Sequence, residues 1–144
     1  MSRFTLCLAT GLAITSLYAA PGYLAQRGVP ATREALQAAD WLMLQDGTDQ
    51  TRRLADSDIS VQPRYASNNQ LTLQQLCEAG LGLAPLGDED VAEAVAAGRL
   101  LRLDTAVTLP DLPIWALTPQ RDAQPAKVRH AIAALKAHLA QGPG

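Results

Sequence analysis

The stretch from Ser67 to Leu100, SNNQLTLQQLCEAGLGLAPLGDEDVAEAVAAGRL, constrains the fold most, because it spells a polar turn, a helix, a buried strand and a second helix in direct succession. Ser67, Asn68 and Asn69 are short polar residues suited to cap a helix. Leu73, Leu76 and Cys77 then recur on one face at i, i+3, i+4, which predicts a helix over 70–79. Gly80 stands where the chain leaves that helix through a left-handed residue, and Gly82 opens the apolar run Leu83, Ala84, Pro85 and Leu86. Asp88, Glu89 and Asp90 are expected in the first turn of a second helix, with Val91, Ala94 and Val95 inward and Gly98 at its end. Two helices flanking a strand make an α/β layer.

A chain of 144 residues suits one ordinary core, and its 48% apolar and 18% charged residues describe a globular protein. The net charge of -2 supplies no cationic footprint for nucleic acid, so this chain alone is not expected to grip DNA. Cys7 and Cys77 stand in no metal-ligand or disulfide pattern, and reduced thiols in a cytoplasmic protein are expected. The apolar stretch from Leu6 to Ala20 imitates a secretory signal. Pro21 is a poor context for cleavage, however, and the run is too short and interrupted to cross a bilayer. A strand over 14–19 explains it better.

Past that strand, Pro21 opens a short helix to Gln26 that Gly28 ends, and Thr32 caps another through Leu36 to Ala39. Trp41 to Leu44 reads as a buried strand. A turn is expected over 45–50 around Asp46-Gly47, then weaker extended segments at 52–55 and 59–65 joined by Asp56, Ser57 and Asp58. Strands at 100–103 and 114–117 flank a proline-bearing crossover. The last helix begins near Pro125 and carries Val128, Ile132, Leu135 and Leu139 as an apolar stripe.

AGLGLAPL at 79–86 and AAGRLLRL at 96–103 resemble the effector-binding domain of LysR-type transcriptional regulators. So do SLYAAPGYLAQRGVPATREAL from Ser16 to Leu36 and LPIWALTPQRDAQPAKVRHAIAALKAHL from Leu112 to Leu139. The four motifs occur in the family's order and cover most of the chain from Leu6 onward. The resemblance implies an α/β fold of the type 2 periplasmic-binding-protein-like kind: two lobes around an effector cleft, with lobe two nearly complete and lobe one partial. Residues 1–13 would be a remnant of lobe one or crossover, 14–111 the effector-binding lobe two, and 112–144 the returning strand and C-terminal helix of lobe one. It implies a truncated regulator that lacks its N-terminal winged helix-turn-helix and contacts DNA only through that missing domain. A homo-oligomer off the membrane is expected. An exported solute-binding protein of the related two-lobe fold is the alternative. Because the rest of lobe one would be absent, exposed apolar surface is expected around the last helix.

Within that frame Ser67, Asn68 and Asn69 are the candidates for effector contact, since a helix N-terminus offers free N–H groups to a carboxylate or aromatic acid. Helix capping alone explains them equally well. Arg64 would add positive charge to such an anion or be an ordinary surface arginine. Ala19, Ala20 and Pro21 match the lobe-crossing segment, and Thr118 with Pro119 the end of the other crossing strand; each would line the cleft or pack structurally. No cofactor, metal or enzymatic activity is expected. Gly80-Leu-Gly82 lacks a dinucleotide fingerprint, and Asp88, Glu89 and Asp90 point in different directions as a solvated turn. His130 and His138 face no evident nucleophile.

Overall fold

A computed structural model describes residues 6–45, 52–53, 59–105, 107, 109, 112–118 and 125–140. In chain order the elements are β1 (Leu6–Ala13), β2 (Thr15–Ala19), α1 (Pro21–Arg27), α2 (Arg33–Ala38), β3 (Trp41–Leu44), β4 (Arg52–Arg53) and β5 (Ser60–Val61). There follow β6 (Pro63–Ser67), α3 (Gln70–Glu78), β7 (Ala84–Gly87), α4 (Ala92–Ala96), β8 (Leu101–Leu103), β9 (Leu112–Thr118) and α5 (Ala126–Ala140). The chain divides into two compact units, one of residues 1–13 with 111–144 and one of residues 14–110. Of the turn expected over 45–50 all but Gln45, the connection at 56–58, Pro119 and the tail at 142–144 lie outside the described residues.

The larger unit is an α/β layer. β2 lies between β7 and β8 and is antiparallel to both, while β3 pairs in parallel with β6. A parallel bridge between Trp41 and Leu83 joins the two sets, with Leu42 N–H donating to Leu83 O and Leu83 N–H to Asp40 O, both at 2.8 Å. The resulting order is β6-β3-β7-β2-β8. Alternation along the strands sends side chains to two cores, as a sheet covered on both faces requires. Leu17, Ala19, Trp41 and Met43 join Leu36 from α2 and Tyr23 from α1. Tyr18 and Leu42, between them in sequence, join Leu73 and Cys77 of α3 and Ala94 of α4 on the other side.

The local signals explain the element ends. Thr32 Oγ1 accepts the Ala35 N–H at 3.2 Å to start α2, and Gly28, Gly80 and Gly98 take positive φ where α1, α3 and α4 end. Three expectations change. Asp88 to Asp90 form a turn ahead of α4, which begins only at Ala92, and Val95 is 37% exposed. The turn has a tertiary purpose: Asp88 Oδ1 accepts the Tyr18 hydroxyl at 2.9 Å and Arg102 Nη1 reaches Oδ2 at 3.4 Å, so this carboxylate is tied to β2 and β8. The extended run over 59–65 is two strands, β5 closing a short antiparallel pair with β4, and β6 crossing to β3.

In the smaller unit β1 and β9 form an antiparallel pair over which α5 lies, Leu139 meeting Gly11. A Cβ on Gly11 would stand 2.8 Å from Leu139 Cβ, so glycine sets the closeness of helix to strand. No residue of α5 is buried, and Leu135, Trp115 and Leu117 are 52%, 54% and 65% exposed. The stripe Val128, Ile132 and Leu139 is half-buried, leaving Leu135 in solvent.

Candidate functional site

The strand directions give the larger unit's sheet two chemically different ends. β3 and β6 run together, Leu44 pairing with Ser67, whereas β2 runs against β7, Thr15 opposite Gly87 and Tyr18 opposite Ala84. One end therefore gathers Ser67 to Asn69, Leu44, the Asp88 turn and the start of β2, where the Asp88 N–H donates to Ile14 O at 3.0 Å. The opposite end gathers Ala19, Ala20, Pro21, Asp40 and Gly82. Ser67 and Ala20 differ by about four strand residues, about 13 Å along the strand direction.

At the first end Ser67 Oγ accepts the Asn69 N–H at 3.1 Å, and Asn69 Oδ1 accepts the Thr72 N–H at 3.1 Å. The Asn69 carbonyl takes the Leu73 N–H at 3.3 Å, while Gln45 N–H holds the Ser67 carbonyl at 2.8 Å. Asn69 is thus the N-cap of α3, with extended backbone at φ -123°. Helix geometry leaves the N–H groups of Gln70 and Leu71 without an intrahelical acceptor, and among the described residues neither has another. Leu71, the second residue of α3, is 59% exposed, and Leu44, which pairs with Ser67, is 39% exposed. Two free donors at the positive end of a helix next to apolar side chains can hold an anionic head group on an apolar body.

Arg64 is not part of that arrangement. Its Nη1 donates to Asp40 Oδ1 at 2.8 Å, and its guanidinium lies 5.7 Å from the Tyr65 ring centre. Asp40 also takes Arg27 Nη2 at 3.3 Å and the Tyr23 hydroxyl at 3.4 Å; the same hydroxyl accepts the Asp40 N–H at 3.0 Å. The Arg64 hydrogen bond is the main cause holding the Asp40 carboxyl below its ordinary range. Ala19 and Ala20 are buried and Pro21 opens α1. These three lie well inside the larger unit, since the division between units falls at Ala13 and Ile14. Thr118 is buried in β9 of the smaller unit. The candidates thus separate into the Ser67–Asn69 turn, the Ala19–Pro21 and Arg64 group at the other end of the sheet, and Thr118 in the other unit.

An open depression of about 580 Å³ lies at that other end, between α1 and the end of α3, lined by Ala20, Pro21, Gly22, Tyr23, Gln26, Glu78, Ala79, Gly80 and Arg99. Glu78 Oε2 accepts Arg99 Nε at 2.8 Å and Oε1 accepts Gln74 Nε2 at 2.9 Å. The Gln74 bond, then Arg99, draws the Glu78 carboxyl down. Gln26, Glu78 and Arg99 carried no signal in the sequence, being ordinary surface side chains on elements joined only by the fold. Cys77 is fully buried, its thiol 3.4 Å from Tyr18 O and 3.5 Å from Gly82 O, and burial pushes its pKa up to about 12. That thiol is protonated and unreactive at neutral pH. Among the described residues no three His, Cys, Asp or Glu side chains gather as a metal site, and no helix is long and apolar enough to cross a membrane.

Comparison with known proteins gives this geometry a setting. Residues 15–140 match the model of the LysR substrate binding domain. The HTH-type transcriptional regulator PtxR of Pseudomonas aeruginosa is 33% identical over 132 residues, covering 87% of this chain and 42% of that protein, so the chain spans less than half of that relative. Among solved structures, the regulatory domain of CrgA from Neisseria meningitidis superposes with a TM-score of 0.75 at 22% identity, over 94% of this chain and 69% of the other. The effector domain of AmpR from Pseudomonas aeruginosa does so at 0.72 and 17% identity, over 99% and 70%. At these identities the structures speak to the fold alone: the type 2 periplasmic-binding-protein-like fold. With the family model spanning most of its length, the chain belongs to the LysR substrate-binding-domain family.

Proposed function

We propose that this chain is the effector-sensing part of a LysR-type transcriptional regulator, and that a small anionic molecule with an apolar body is met at the Ser67–Asn69 turn. The observation that carries the reading is the N-terminus of α3: the N–H groups of Gln70 and Leu71 are unclaimed among the described residues, Leu71 is exposed, and so is Leu44, the residue paired with Ser67. A small carboxylate or aromatic acid satisfies both features. Residues 14–111 are read as lobe two, and 1–13 with 112–144 as the portion of lobe one present, Thr118 belonging to the latter. Arg64, Ala19, Ala20 and Pro21 are read as structural, because they stand at the far end of the sheet from the turn.

An effector changes a regulator only by binding two of its states unequally, so the turn's task is discrimination, not chemistry. DNA contact is assigned to a helix-turn-helix region of the kind PtxR is named for, this chain carrying a net charge of -2. Such a regulator acts in the cytoplasm and as an oligomer.

Isothermal titration with a panel of small aromatic and aliphatic acids tests the reading. Leu71→Glu places a carboxylate beside the free N–H groups, which suits the helix while repelling an anion. It is expected to weaken binding about tenfold, corresponding to ~1.4 kcal/mol, without loss of thermal stability. Arg64→Ala is expected to leave the affinity unchanged. Undiminished binding in Leu71→Glu, or its loss in Arg64→Ala, would overturn the assignment.

A further inference from the structure

The depression between α1 and the end of α3 has no part in the effector reading, yet its wall carries a fixed pair of opposite charges. Glu78 Oε2 accepts Arg99 Nε at 2.8 Å and Oε1 accepts Gln74 Nε2 at 2.9 Å, so the carboxylate is oriented before any ligand arrives. The two side chains are 22% and 46% exposed, so both charges remain reachable. Neither group is saturated. Among the described residues the Nη amines of Arg99 approach only Glu93 Oε1, at 3.9 Å, which is too long for a hydrogen bond. Each Glu78 oxygen accepts one bond there and has a lone pair to spare.

The surroundings suit a small molecule. The depression measures about 580 Å³, and the small residues Pro21, Gly22, Ala79 and Gly80 line it beside the charged pair. A Cβ on Gly22 would meet nothing within 4 Å, so the space is open at that point. α3 ends here, with Gly80 at φ +79°, and the negative pole of that helix favours a positive group on the Glu78 side. A lone anion would be opposed by Glu78, and a lone cation by Arg99. A molecule with an ammonium and a carboxylate on the same carbon answers both charges at once.

We infer that this depression is a second ligand site and that it takes a free α-amino acid. The Nη amines of Arg99 receive the carboxylate, Glu78 receives the ammonium, and the amino acid's side chain extends past Gly22 and Gln26 into the open part. Because Glu78 closes α3 and Arg99 follows α4, an occupant ties the ends of two helices to the start of α1. Every residue involved belongs to the larger unit and stands at the end of its sheet away from the Ser67–Asn69 turn. The site is therefore independent of the effector reading.

Titrating the isotope-labelled 144-residue chain with the common amino acids, each to about 10 mM or its solubility limit, and following backbone amides tests the assignment. At least one amino acid is expected to give saturable shifts at Gly22, Gly80 and Arg99, with Gln70 and Leu71 unmoved. Its counterparts without the amino group or without the carboxylate should each bind about tenfold more weakly, since each forfeits a charge-assisted contact. Glu78→Gln and Arg99→Gln should weaken binding to a similar extent, whereas Glu93→Gln should not weaken it. Gly22→Leu breaks no contact at its Cβ and should abolish binding while the melting temperature holds, which guards against loss of the ion pair unfolding the unit. Amides that stay still with every amino acid, or shifts centred on Gln70 and Leu71, would overturn the assignment. So would a deaminated counterpart that binds as tightly, or folded Glu78→Gln, Arg99→Gln or Gly22→Leu variants that bind as the parent does.

Discussion

Gly82 is the position where a single methyl group should cost the larger unit most. A Cβ there would overlap the carbonyl oxygen of Asp40, and the obstacle is backbone, so no side chain can swing aside. That carbonyl accepts the Leu83 N–H, and with the bond from Leu42 N–H to Leu83 O it joins β3 to β7. In Gly82→Ala the segments must separate. Two backbone hydrogen bonds worth about 1 kcal/mol each are weakened. Trp41 and Leu83, 1% and 0% exposed, lose part of their packing. The expected destabilisation is about 2–4 kcal/mol, a large share of the roughly 5–15 kcal/mol that holds a typical domain. Urea unfolding followed by the emission of buried Trp41, in a Trp115→Phe background to remove the exposed indole, should show the midpoint falling by about 1 to 2 M. Gly22→Ala is the control: a Cβ there meets nothing within 4 Å, and the change should be neutral or slightly stabilising. A Gly82→Ala midpoint indistinguishable from that of the parent would refute the close approach and the sheet order built on it.

The remaining expectations concern caps, packing and pH. Asn69→Ala removes the acceptor for the Thr72 N–H and should lower stability by about 1 kcal/mol, read by the same denaturation. In the smaller unit Gly11→Ala should reduce the melting temperature, and Leu139→Ala, destabilising by itself, should be less so when combined with it, giving a measurable coupling in a double-mutant cycle. Burial raises the Cys77 thiol from its ordinary 9.0 to about 12 and the Tyr18 hydroxyl from 10.0 to about 12. Folding thus favours the neutral form of each, and that stability is complete below pH 9 and lost as pH rises toward 12. Equilibrium unfolding across this range should decline from about pH 9 in the parent and from about pH 10 in Cys77→Ala. Asp40 shifts the opposite way, so its contribution is present above the usual carboxylate range and lost as pH falls through its depressed value; Asp40→Asn should flatten that acid limb.

What the sequence disclosed followed from local rules. Asn69 before an apolar face at i, i+3, i+4, and Gly80 after it, mark both ends of α3 because a cap and a left-handed residue are short-range requirements. The pairing of β6 with β3 has no such trace, since a parallel partner is chosen across the fold and nothing in Pro63–Ser67 names Trp41–Leu44. Arg64 shows how nearness in sequence misleads. The register with β3 shifts between Trp41↔Pro63 and Leu42↔Tyr65, which leaves Arg64 out of the pairing, and its guanidinium runs back to Asp40 just ahead of β3. The Asp88–Glu89–Asp90 run invites a helix start by its charge. Asp88 is instead fixed by Tyr18, seventy positions away, a contact that only the assembled sheet provides. The exposed apolar surface expected around the last helix is visible at Leu135, Trp115 and Leu117, because an amphipathic stripe reports how much cover it needs wherever that cover comes from.

In the proposed function the Ser67–Asn69 turn and the first amides of α3 receive the effector. Titrating isotope-labelled protein with a binding aromatic acid, and following backbone amide resonances, tests it most directly. Saturable shifts are expected to be largest at Gln70 and Leu71, with Gly22, Gly80 and Arg99 at the far end of the sheet unmoved. Shifts centred on those three residues, with Gln70 and Leu71 silent, would contradict it.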